Sequence, residues 1–277
     1  MPVPKLKNLA ILILVFANLA LALLVFPGRI AADQEQAELR QTLCSLYAKQ
    51  EITLTPEAIP DTVTLYMLEL QENSDSDLQA AAALLGEQLL VQDDSTRYLS
   101  AYRSEQGQCS ISRSGEFSAQ LTGQEEVRNP VTASRKLLKN MGFSHQTLPE
   151  AVRVRAGVYS VHATQTVLGV PVFSDGLTLT WSNSRLSTLE GTFFTGAETL
   201  TRVSDKACIS AADALVAFLD ARYGLGWVGS AVTGLQQGYI RSETAAAAAV
   251  RLTPVWRLQT DTGTFQINGM TGEITPV

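Results

Sequence analysis

Residues 9–26 read LAILILVFANLALALLVF, an apolar run in which Asn18 is the sole strongly polar side chain. A helix rises about 1.5 Å per residue, so this run would be roughly 27 Å long, close to the thickness of a bilayer's hydrocarbon core. The segment therefore predicts a single transmembrane helix with everything after it folding as a tethered ectodomain. A cleaved signal peptide has a shorter apolar core and small residues at its cleavage site. Pro27-Gly28-Arg29-Ile30-Ala31-Ala32 offers a poor one, which favours a retained anchor. Lys5 and Lys7 precede the run, and Arg29 alone follows it before the acidic Asp33, Glu35 and Glu38. By the positive-inside rule residues 1–8 are cytoplasmic and the C-terminal ectodomain lies outside the cell membrane. Asn18 offers a hydrogen bond to a neighbouring helix, and Ala22, one turn on along the same face, permits close approach. The two form the candidate membrane-helix contact face; the plainer reading is a tolerated single amide.

Charge narrows the partners. The chain carries 21 basic and 27 acidic residues. Three of the basic ones, Lys5, Lys7 and Arg29, precede the first acidic residue, which leaves the ectodomain with 18 against 27, a charge of −9. An acidic surface without a Lys/Arg cluster argues against nucleic acid and against a polybasic lipid patch, both of which depend on neutralising phosphates. The three cysteines, Cys44, Cys109 and Cys208, are far apart and none belongs to a C-x-x-C pair. They do not make a disulfide framework and read as small buried hydrophobes, while one bridge such as Cys44–Cys109 stays open in an oxidising compartment.

The ectodomain repeats one order of elements. Residues 27–55 read as a stalk helix, with Ala37, Leu39, Leu43, Leu46 and Tyr47 at mostly helical spacing, ended by Thr55-Pro56 and Ile59-Pro60. A first α+β unit, 56–125, has a strand over 63–70, a helix over 75–90 and strands near 97–103, 109–113 and 116–121. A second, 126–200, has a helix over 131–141 ended by Gly142, then strands over 159–167, 172–181 and 185–194. The alternation in Leu177-Thr178-Leu179-Thr180-Trp181 predicts a strand with one buried face. A third, 201–277, opens on a helix from Ser210, with Asp213 three positions on as a relative of the capping box, and continues with strands over 235–241, 250–259 and 264–268. A helix packed on a curled antiparallel sheet, repeated in tandem, makes the expected fold α+β.

The run Gly169-Val170-Pro171-Val172-Phe173-Ser174-Asp175-Gly176, continuing to Trp181 and followed by Arg185-Leu186-Ser187, resembles the G-x-P-v-f meander of PepSY-type domains. Pro254-Val255-Trp256-Arg257-Leu258 and Phe265-Gln266-Ile267-Asn268-Gly269-Met270-Thr271-Gly272-Glu273-Ile274 resemble their closing hairpin, so the second and third units are PepSY-like. With an N-terminal anchor and tandem units, the chain is similar to the YycI-like and YycH-like regulators of a Gram-positive two-component sensor histidine kinase that controls cell-wall metabolism. That resemblance implies a signal-transduction protein that is not an enzyme and needs no cofactor. It also implies contact with the membrane kinase, through the membrane helix and the ectodomain, and with a related anchored regulator as a further partner.

Residue types that carry chemistry are sparse. His145 and His162 are the only histidines and lack zinc-motif spacing. No G-x-S-x-G elbow is present. The pairs Asp75/Asp77 and Asp93/Asp94 suit helix starts and turns as well as they suit catalysis or calcium. Gly224-Leu225-Gly226 and the stretch from Gly234 to Gly238 lack a phosphate-loop Lys-Ser/Thr and read as turns. Trp181, Trp227 and Trp256 with Phe173, Phe193 and Phe194 read as core before they read as a ligand platform. No catalytic, cofactor-binding or metal residue is assigned. Besides the kinase regulator, two alternatives remain: a PepSY-like module that binds or inhibits an extracellular peptidase, and a tethered hydrolase acting on cell-wall material.

Overall fold

The computed structural model describes residues 34–71, 74–94, 99–112, 114–122, 124–196, 199–242 and 249–277, and Leu14 besides. The apolar segment 9–26, with its contact candidates Asn18 and Ala22, therefore lies outside the described residues except at Leu14.

The middle of the chain builds an eight-stranded antiparallel sheet from two successive helix-then-meander stretches. The first is α2 (Ser74–Leu85) followed by β3 (Leu90–Asp94), β4 (Leu99–Ser104), β5 (Gly107–Ser112) and β6 (Glu116–Leu121). The second is α3 (Pro130–Asn140) followed by β7 (Val152–Arg155), β8 (Val158–Val167), β9 (Val170–Ser182) and β10 (Arg185–Thr192). Each meander ends on a strand whose outer edge would otherwise leave a row of backbone groups unpaired. Here β6 and β10 satisfy each other, Thr188 facing Gln120 and Thr192 facing Glu116, so the order runs β3-β4-β5-β6-β10-β9-β8-β7.

Both helices cover one face of this sheet. Asn129 accepts from the Thr132 N–H at 3.1 Å and Pro130 starts α3, while Gly142, at φ +75°, ends it. Leu84 and Leu85 of α2 and Leu138 of α3 sink into a core with Ile111, Leu177, Leu179 and Leu189. The rings of Phe117, Phe143 and Phe193 pack edge to face, with centroids 5.2 and 5.5 Å apart. The Trp181 indole N–H donates to the buried Ser134 hydroxyl at 3.1 Å, which ties α3 to β9.

The chain's two ends meet in the remaining strands. These are β1 (Thr53–Leu54), β2 (Tyr66–Gln71), β11 (Thr201–Ala207), β12 (Ala231–Ser242), β13 (Ala249–Thr260), β14 (Thr264–Asn268) and β15 (Ile274–Pro276). They run β11-β2-β13-β12, with β14 and β15 continuing from β13 and β1 alongside β12. Since β2 and β11 pair with each other, the eight-stranded stretch leaves and re-enters this region at neighbouring strands. Helix α4 (Ala211–Ala221) starts on a full capping box, in which Ser210 and Asp213 each bond the other's backbone N–H at 3.1 Å. The expected stalk is not free: its helical residues 34–48, α1, bury Leu43 and Tyr47 against α4, and the Tyr47 hydroxyl donates to the Leu215 carbonyl at 2.7 Å.

The two regions join where β9 and β12 run parallel at Val172 and Tyr239. Gly238 permits the approach, because a Cβ there would lie 2.5 Å from the Pro171 carbonyl oxygen and 2.6 Å from the Phe173 ring. Leu65, Leu68, Phe194 and Leu252 close a small core around Val172 and Tyr239. Next to it the Arg241 guanidinium grips the fully buried Asp175 carboxylate, Nη2 to Oδ2 at 2.7 Å and Nε to Oδ1 at 3.3 Å. Arg241 also donates from Nη1 to the Ser114 carbonyl.

This architecture corrects the expected fold. Tandem PepSY-like units, each a helix on its own curled sheet, are not what the chain forms. Its strands belong to one fifteen-stranded sheet in a sheet-rich α+β fold. Among the described residues no helix is long and apolar enough to cross a membrane. The physical reason lies in edge pairing: β6 with β10 and β9 with β12 fuse meanders that would otherwise end as separate units.

Candidate functional site

The helices leave the other face of the eight-stranded stretch open, and its side chains form cross-strand rows. One row crosses all eight strands: Leu90, Arg103, Gln108, Gln120, Thr188, Thr180, Ser160 and Val152, each directly opposite the next. A neighbouring row runs Gln92, Ala101, Ser110, Ser118, Glu190, Thr178 and His162. The origin is local. In β9, Leu177, Leu179 and Trp181 point into the core, so Thr178 and Thr180 must point out.

Towards β3 this face hollows into a cleft of about 340 Å³, lined by Leu90, Gln92, Arg103, Gln108, Ser110 and Gln120 among others. Arg103, itself exposed, lines it, its Nη2 donating to Gln108 Oε1 at 3.0 Å. Hydroxyls and carboxamides each offer both donors and acceptors, and neutral ones shed water at far lower cost than charges. A face built from them suits the mixed polar surface of another protein, with the exposed Leu90 at the rim as an apolar foothold.

The residues singled out from the sequence are scattered. His162 stands on the open face, its Nδ1 3.3 Å from the Thr178 hydroxyl, and Glu190 is one strand further, about 10 Å away by strand spacing. His145 lies elsewhere, its Nδ1 2.5 Å from the Gln146 carbonyl. Asp75 and Asp77 occupy the first turn of α2, where Asp77 accepts from the Thr195 hydroxyl at 2.6 Å. Asp93 and Asp94 fall in β3. Among the described residues no group of three or more His, Cys, Asp or Glu gathers to hold a metal ion.

Trp181, Trp227, Trp256, Phe193 and Phe194 are core, and Phe173 alone of that set is half-exposed. Gly234 and Gly238 sit inside β12 and not in a turn, because the second of them has to let β9 approach. The three cysteines are free thiols. Burial pushes the Cys109 thiol up to about 12, and it also raises those of Cys208 and of Cys44, the latter helped by Glu57.

The open-face rows and Arg103 escaped sequence reasoning. The available signal was alternation: in β9, Thr178 and Thr180 each sit between two core residues. Which strands those residues face across the sheet has no local signature. No family model matches the chain, and no curated protein matches it.

Proposed function

We propose that the protein is a regulatory interaction module that acts by contact, and that its partner is a membrane sensor histidine kinase bound across the open face of the eight-stranded stretch. The observation that supports this reading is one-sided cover: α2 and α3 bury one face, while the strands present two cross-strand rows, made mostly of Ser, Thr and Gln, on the other. A kinase conformation that fits this face better than its alternative gains population in proportion to the difference in affinity. The apolar residues 9–26 would hold the module at the cell membrane with its folded part outside, within reach of the kinase ectodomain. The resemblance to YycI-like and YycH-like regulators supports the choice of partner class, and the uncovered sheet face supports the choice of surface.

Photocrosslinking in native membranes tests both. Probes at Gln120 and Thr188, on the open face, should capture a sensor kinase, and a probe at Lys136, exposed on α3, should not. Equal capture from Lys136, or capture of a secreted peptidase instead of a kinase, refutes the proposal.

A further inference from the structure

Arg257 of β13 stacks on an aromatic ring instead of pairing with a carboxylate among the described residues. Its guanidinium carbon sits 3.9 Å from the centroid of the Phe173 ring, and its Nε is buried with no hydrogen-bond partner. Other arginines of the chain are placed differently: Arg241 has Asp175, Arg251 has Glu69 at 3.6 Å and Arg40 has Asp61 at 2.6 Å. Among the described residues no carboxylate lies within ion-pair distance of Arg257. Its cross-strand neighbours are both neutral amides, Gln236 on β12 and Gln266 on β14.

The surroundings disfavour the charge that the residue cannot give up. Burial draws the Arg257 pKa down from its ordinary value, yet a guanidinium stays protonated at any physiological pH. Stacking on Phe173 fixes the plane of the fork, so little orientational freedom is lost when its free edge takes a planar, bidentate acceptor. One positive charge flanked by two neutral carboxamides matches a single negative charge. A carboxylate satisfies the fork and leaves lone pairs for the amide N–H groups of Gln236 and Gln266; a phosphate dianion would bring a second charge with no counterpart.

We infer that Arg257, stacked on Phe173 between Gln236 and Gln266, is a carboxylate-binding site, the ligand being an acidic side chain on a partner protein or a free organic acid. Phe173 comes from the start of β9 and the rest of the site from β12–β14, and none of its residues belongs to the open-face rows, so it stands or falls separately from the kinase proposal.

The test is a titration of the full chain, in micelles, followed by the side-chain N–H resonances of Arg257, Gln236 and Gln266. Sodium acetate, succinate and a blocked Gly-Glu-Gly peptide are compared with sodium chloride at matched ionic strength. Saturable shifts with the carboxylates and none with chloride are expected. Arg257→Gln should abolish the response at Gln266, and Phe173→Leu should weaken binding about tenfold by loosening the fork. Gln266→Leu, which leaves the charge and the stack in place, should weaken it less. Tighter binding of the peptide than of acetate and succinate assigns the site to a protein partner, and the reverse order assigns it to a free acid. Absence of saturation with all three carboxylates in the unmodified protein, or an equal response to chloride, overturns the inference.

Discussion

Replacing Arg241 by Met would strip the counter-charge from a carboxylate that has no access to water. The Asp175 side chain is 0% exposed and Arg241 only 15%, and the two are joined by contacts at 2.7 and 3.3 Å. Breaking a buried pair by removing one partner costs about 3–5 kcal/mol, because the orphaned charge stays behind. The exposed Arg202–Asp205 pair, at 3.9 Å, is worth only about 0–1 kcal/mol by comparison. With a urea dependence of about 2–3 kcal/mol per molar, Arg241→Met should lower the unfolding midpoint by roughly 1–2.5 M.

The assay is urea unfolding followed by tryptophan fluorescence. Trp181 reports the eight-stranded region, and Trp227 and Trp256 report the region around α4. Because Arg241 also reaches the Ser114 carbonyl, its loss should separate the two reporters' transitions as well as lower them. Adding Asp175→Leu to Arg241→Met should recover most of the loss, since an apolar pair of similar volume is close to neutral. A double variant as unstable as the single one, or a single variant within about 0.3 M of the parent, would refute the claim that an orphaned charge carries the cost.

Two further outcomes follow from local geometry. Gly238→Ala should destabilise the chain by about 1–3 kcal/mol in the same urea assay, because its Cβ must displace the Pro171 carbonyl and the Phe173 ring; the displaced ring should also shift the Arg257 resonance. Asp261 accepts from the Ser230 N–H at 2.8 Å and hydroxyl at 3.0 Å, and the backbone bond above all holds its carboxyl below the ordinary Asp value of 3.8. A depressed native pKa stabilises above the unfolded value and loses that contribution as pH falls through the native one. Asp261→Asn should therefore flatten the stability profile on the acid side of 3.8 and leave it parallel to the parent's at neutral pH, as measured by urea midpoints across a pH series.

Helices and long strands could be read from the chain because their signals are local. Gly142 closes α3, Ser210 and Asp213 open α4, and the alternation from Leu177 to Trp181 marks β9. Shorter pieces were hidden by their neighbours. Apolar residues from Leu84 to Leu90 extend a helical pattern that Gly86, at φ +83°, in fact ends, so β3 was absorbed into α2. Strand β7, Val-Arg-Val-Arg, has both valines exposed at 63% and 62%, and with no buried face its alternation carries no core signal. Least legible was the joining of strands. Leu252 pairs with Leu68 across most of the chain, and Gly238 looks like any turn glycine until β9 lies against it. The carboxylate site inferred at Arg257 shares that limit: the residue becomes unusual only when Phe173 is placed under it and no carboxylate among the described residues comes within ion-pair distance.

The seam between β6 and β10 has one more consequence. The sheet order on either side of it is the same, a meander counted inwards from each edge to its last strand, with those last strands antiparallel to each other. Two separate chains pairing in that way would make an isologous dimer, whose shared surface exists only above its dissociation constant. Here both halves are covalently linked through residues 122–129, so dilution cannot take the surface apart. The open face is presented whole by a single copy of the protein at any concentration.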